Sequence, residues 1–164
     1  MNFDDRWMPA KRAWPVIVIL TGWVLLTGAG GGPRDLALIG SWAGDLPVDR
    51  LDLLPEDQRR TPVGFIGDPA VFEAVWKAVK PGDRIPHVDF GENMVLFSRN
   101  VDFYNRTSIL KVTLEAGQAR IIAMQTMSAM FIEDRVAMAM AVVPRKGIEF
   151  IIAGDARIRV ADHR

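Results

Sequence analysis

The chain has 164 residues, 20 of them basic and 20 acidic, with 49% hydrophobic residues and no cysteine. That length allows one domain with a proper core plus an extension. The missing cysteine excludes disulfides, thiolate metal sites, thiol nucleophiles and a lipoprotein-type lipid anchor. Setting aside the first 33 residues removes three basic and two acidic groups and leaves 17 against 18, so the rest has no field to attract a phosphate backbone and nucleic acid is not expected as a partner.

Residues 1–13 are polar and end in Lys11-Arg12, and no charge occurs between Trp14 and Pro33. Cations ahead of an apolar run keep the N-terminus in the cytoplasm and export the chain beyond the run. Two readings of this run stay open. A cleaved signal peptide fits about 14 strongly apolar residues followed by the small residues Thr27, Gly28, Ala29 and Gly30. A retained signal-anchor fits a helix of roughly 18–20 residues from Ala13 into the glycines, near the minimum for spanning, with Trp14 and Trp23 toward the interfaces. Either way the domain is expected outside the cytoplasm, on the bacterial inner membrane as a single-pass protein or free in the periplasm. The expected divisions are 1–32 as signal or anchor, 33–62 as an extended arm, and 63–164 as the folded domain.

Proline, glycine and alternating charge argue against a long regular element in residues 33–62. Apolar residues nevertheless recur there: Leu36, Leu38 and Ile39, then Trp42 and Leu46, then Leu51, Leu53 and Leu54. The segment is read either as an arm packed over its own domain or as one lying on a partner or the membrane surface. Trp42, Leu46, Leu53 and Leu54 are the candidate partner contacts, since tryptophan is enriched among residues that dominate binding.

A helix comes next. Asp68 can cap it, Pro69 suits its first position, Lys77 and Lys80 suit its negative end, and Pro81-Gly82 stops it. Phe72, Val75, Trp76 and Val79 recur at three and four, a single apolar stripe that needs a sheet to cover. The stretch from Pro86 to Val101 then starts in a turn, with Asp89 and Glu92 as turn or capping groups, and commits to the apolar run Met94-Val95-Leu96-Phe97. It is expected as the first central strand of the domain.

Beyond it the pattern is strand–turn–strand. Leu110, Val112 and Leu114 alternate with Lys111, Thr113 and Glu115, as in a half-buried strand. Ala116-Gly117 turns, and 120–127 returns. Residues 135–143 make a long strand ended by Pro144, then 148–153 makes another, Gly154-Asp155 turns, and 157–160 closes. Short strands on short turns imply antiparallel pairing. The expected fold class is α+β, mostly β: an antiparallel sheet with one packed helix, preceded by the N-terminal transmembrane or signal helix.

These residues resemble a family. Phe72-x-x-x-Trp76, the proline-bounded Val88-Asp89-Phe90, Met94-Val95, Ile109-x-x-Val112, the Gly117 turn and Val143-Pro144-Arg145 are similar to the conserved-domain pattern of PrcB-like protease-complex proteins, over about residues 63–153. The resemblance implies an exported, often membrane-tethered accessory component of a protease complex rather than a protease. Members commonly carry a Thr-Gly-Gly-Tyr-like turn after the first strand. Here that region reads Phe103-Tyr104-Asn105-Arg106-Thr107, without the glycines. Phe103 and Tyr104 join the candidate partner contacts, and no catalytic residue is carried over.

Chemistry-bearing residues are few. The histidines are His87 and His163, and His87 with Asp89 falls short of the three or four ligands that zinc needs. Ser98, Ser108 and Ser128 lack a nucleophile elbow. Asp102, Glu133 and Asp134 fall at expected strand ends, where solvated turn carboxylates are the ordinary case. Met124, Met127, Met130, Met138 and Met140 could hold Cu(I) in an exported protein, but Met138 and Met140 alternate with alanines as core residues of a strand do. No catalytic residue, metal or cofactor is expected. The expected role is a non-enzymatic accessory or structural subunit whose domain docks on a larger respiratory, photosynthetic or protease complex. The alternative is a free periplasmic binding or carrier domain, with copper its named candidate ligand.

Overall fold

The computed structural model describes residues 32–100, 106–126 and 134–160. The expected membrane helix, Phe103, Tyr104, Met127, Met130 and His163 lie outside the described residues.

Three strands precede the helix: β1 (Arg34–Leu36), β2 (Gly40–Pro47) and β3 (Val63–Ile66), with short 3₁₀ turns at Val48–Leu53 and Glu56–Gln58 between the last two. The helix α1 (Pro69–Val79) leads into β4 (Asn93–Arg99), β5 (Thr107–Glu115), β6 (Gln118–Gln125), β7 (Arg135–Pro144), β8 (Phe150–Ala153) and β9 (Ala156–Arg159). They form a four-stranded sheet in the order β2-β7-β4-β3 and a five-stranded sheet in the order β1-β5-β6-β8-β9. The class is α+β and mostly β, with two packed sheets rather than one. Every pairing is antiparallel except that of β6 with β8, which is parallel. That exception arises because β7 departs to the other sheet between them, so β8 returns beside β6 by a crossover instead of a hairpin.

The four-stranded sheet is buried on both faces, which explains the unbroken apolar runs of β4 and β7. In β4, Met94 and Leu96 face the other sheet while Val95 and Phe97 face the helix. In β7, Ala139, Ala141 and Val143 face the other sheet, while Met138, Met140 and Val142 lie under α1. The short alanines leave room for Val112, Ile121 and Ile151 of the facing sheet, and the long methionines fill the uneven surface beneath a helix. The stretch around Met94–Phe97 is therefore central, flanked by β3 and β7.

Local chemistry sets α1 as expected. Asp68 Oδ1 accepts from Ala70 N at 2.8 Å and Val71 N at 2.9 Å. Phe72, Val75, Trp76 and Val79 are its buried residues. The chain leaves through Lys80, and Gly82 takes the left-handed conformation at φ 87° that a side chain disfavours. Before β4, Asp89 Oδ1 accepts from Gly91 N at 2.9 Å, the turn role expected of it.

Two expectations are corrected. Leu110 does not line the core: a bulge between Ile109 and Lys111 shifts the register, so Ile109 is buried and Leu110 is 56% exposed. And residues 34–62 are not an arm over a finished domain. β1 and β2 are edge strands of the two sheets, and β2 pairs with β7 along its whole length from Gly40↔Val142 to Pro47↔Arg135. The segment is inside the fold because β7 needs a partner on that side and β2 supplies both hydrogen bonds and Leu46. Gly44 allows the approach: a Cβ there would sit 2.6 Å from Val79 Cγ1 and 2.9 Å from Val79 O, so only glycine lets α1 close on the strand.

Candidate functional site

The six candidate partner contacts separate into three groups. Leu46 and Leu54, at 0% and 1% exposure, belong to the helix-side core with Phe72, Val75 and Phe97; they are corrected from surface contacts to core residues, because β2 and the 3₁₀ turn carry them under α1. Trp42 and Leu53 are half-buried against the same core. Phe103 and Tyr104 lie outside the described residues.

Trp42 anchors the most distinctive surface feature. Its ring meets Trp76 edge-on at 5.2 Å between centroids and Phe72 at 6.2 Å; Phe72 in turn lies 5.8 Å from Phe90. One residue of the expected arm, one turn of helix and one residue of the 86–92 turn thus make a continuous aromatic cluster, with Phe72 and Trp76 buried and Trp42 and Phe90 half-exposed as its ledge at the surface. Beside it opens a groove of about 570 Å³ lined by Trp42, Trp76, Lys80, Arg84, Ile85 and His87. The loop after α1 is held against the ledge by Trp76 Nε1, which donates to Asp83 O at 3.4 Å, and by Asp83 N, which donates to Lys80 O at 3.1 Å. An apolar floor with Lys80, Arg84 and His87 at its rim, against the single carboxylate of Asp83, suits an apolar or aromatic side chain flanked by acidic ones. Sequence reasoning found Trp42 but missed Lys80, Arg84, Ile85 and His87. The signal available was a charged, proline-bounded loop directly after an amphipathic helix.

Other chemistry-bearing groups are structural or scattered. Arg99 is buried, with Nε donating to Thr61 O at 2.8 Å, Nη2 to Arg59 O, and its own N to Pro62 O at 2.7 Å. Burial lowers its pKa from the ordinary arginine value, and its role is to clip the 59–62 turn onto the end of β4. Gln58, 2% exposed, accepts from Phe65 N through Oε1 at 2.6 Å and fixes the same turn. Ser98 is buried in β4, and His87 is exposed. Among the described residues no group of three or more histidine, aspartate or glutamate side chains could hold a metal ion. Met138 and Met140 are fully buried beneath α1, whereas Met124 is exposed on the other sheet, so the fold does not bring these three thioethers together. Among the described residues no helix is long and apolar enough to cross a membrane.

No protein family matches the chain, and neither a curated protein nor a solved structure is found similar to it.

Proposed function

We propose that this protein is a non-enzymatic accessory subunit, held on the extracytoplasmic side of a membrane by its N-terminal apolar run, whose domain docks through the Trp42 groove on a larger assembly. The observation that carries this reading is the half-exposed Trp42, backed by the buried rings of Trp76 and Phe72 and facing a groove with a cationic rim. A half-exposed tryptophan over an apolar floor is the form that a binding hot spot takes, and the rim sets the sign of the partner. The host is a respiratory, photosynthetic or protease complex. The resemblance of residues 63–153 to PrcB-like proteins supports the last of these as part of the same proposal.

The test is affinity purification of the full chain in mild detergent, beside a variant with Lys80→Glu and Arg84→Glu. The wild type should retain protein partners in fixed stoichiometry. The variant should retain them about tenfold less well, the order expected from reversing two charges at one contact, with an unchanged melting temperature. A monomeric wild type without a stoichiometric partner would refute the docking role and favour the carrier domain.

A further inference from the structure

The surface nearest the point where the chain enters the domain carries a second feature, at the opposite pole of the five-stranded sheet from Thr107 and Gln125. Arg34 opens β1 opposite Leu114 of β5, beside the Ala116-Gly117 turn. The segment after β7 folds back onto that turn: Gly117 O accepts from Glu149 N at 2.7 Å and from Phe150 N at 3.0 Å, and Ile148 N donates to Arg145 O at 3.1 Å. β9 ends there too, since Phe150 pairs with Arg159 and Val160 N donates to Glu149 O at 2.9 Å. The result is a groove of about 460 Å³ lined by Arg145, Lys146, Glu149, Phe150, Arg159 and Val160. Arg145 is aimed by Nη1, which donates to Phe90 O at 3.0 Å, and Arg157 lies 3.9 Å over the Phe150 ring. Three cations and one carboxylate line the groove, with Arg157 beside it over Phe150. Glu92 is next to it, where Arg145 N donates to Glu92 O at 3.0 Å, and Arg34 is at the same end of the sheet but across β5 and β6.

The length of chain ahead of this pole says what it meets. Four residues, Gly30 to Pro33, separate the end of the apolar run at Ala29 from Arg34. Fully extended they reach about 14 Å, so a run held in the bilayer keeps this pole within head-group distance. We infer that the groove of Arg145, Lys146 and Arg159 docks on anionic phospholipid head groups, orienting the domain so that the Trp42 groove faces sideways to a neighbouring membrane protein. The inference rests on the anchored reading proposed above. A phosphodiester brings the acceptor oxygens that guanidinium groups fit in pairs, and lipid supplies it at the surface density that a short tether requires.

The absence of native cysteine permits a direct test on the full chain in lipid nanodiscs. A fluorophore is placed at Gln118→Cys, exposed at this pole, or at Gln125→Cys, at the far end of β6 and about 23 Å away, and quenching by nitroxide head groups is measured. In discs with about a third phosphatidylglycerol, the label at 118 should be quenched at least about twofold more than in phosphatidylcholine discs. The excess should vanish in about 0.5 M salt and in the exposed pair Lys146→Glu and Arg159→Glu, while the label at 125 stays unquenched throughout. Equal quenching at 118 in both lipids would overturn the head-group docking and leave the anchor standing. Quenching at both positions would overturn it in favour of the sheet lying flat. A chain that fails to stay in the discs would refute the anchored reading, and this inference with it.

Discussion

Replacing Leu46 by alanine separates a strand that belongs to the core from one that merely visits a partner. Leu46 is fully buried in β2 opposite Val136 and within the core beneath α1. The substitution removes three carbons, about 2.4 kcal/mol of transfer free energy at about 0.8 kcal/mol each. The cavity left in the core beneath α1 adds to it, although an edge strand can relax partly into the gap. The expected loss is about 3 kcal/mol, at the low end of buried leucine truncations, or a fall of about 10 °C in melting temperature for a domain of this size. The assay is thermal and urea unfolding of the chain from residue 32 onward, followed by circular dichroism and tryptophan fluorescence. Leu53→Ala, half-buried, should cost about 1 kcal/mol and serves as the internal comparison. For the same reason, deletion of residues 34–62 should abolish the cooperative melt, since it removes an edge strand from each sheet. A Leu46→Ala protein that melts within about 2 °C of wild type but loses its partners would refute this reasoning and return Leu46 to the interface.

Two further outcomes test the architecture. Gly64→Ala in β3 should destabilise by about 2–3 kcal/mol in urea titration, because the added methyl would run into Gln58 Oε1 and the Phe97 ring; a neutral result would mean that the Gln58 clip is not tight. Asp68→Ala should cost about 1 kcal/mol, with Asp68→Asn recovering most of it, since two helix N–H groups lose their acceptor.

At the candidate site, Trp42 stood out in the sequence because a large aromatic residue between prolines and charges has no local reason to be there. Its neighbours did not. Trp76 and Phe72 read as one stripe of a helix, and Phe90 as a turn residue. Only the crossing of β2 beneath α1 puts the four rings within contact, with Lys80, Arg84 and His87 along their edge. The cationic groove was equally hidden, because Arg145 and Lys146 come from the turn before β8 and Arg159 from β9, and they meet through the β8–β9 pairing and the docking of 149–150 on the Gly117 turn.

For the fold, the elements that local chemistry determines were legible. Asp68, Pro69 and the Phe72–Val79 stripe specify α1, and Gly117 and Gly154 specify their turns at φ 79° and 55°. The unbroken apolar runs at Met94–Phe97 and 135–143 marked β4 and β7 as strands, and the alternation of Met138 and Met140 with alanines marked those methionines as core residues. What only the tertiary structure decided is the company each strand keeps. Nothing local shows that residues 34–36 pair with β5 or that 40–47 pair with β7 roughly a hundred positions away. Nor does it show that β8 joins β6 in parallel, or that one extra residue at the Leu110 bulge turns that side chain to solvent. A strand's conformation is set by its own side chains, whereas its hydrogen-bond partners are set by which distant edge is still unpaired when the sheets close over a shared core.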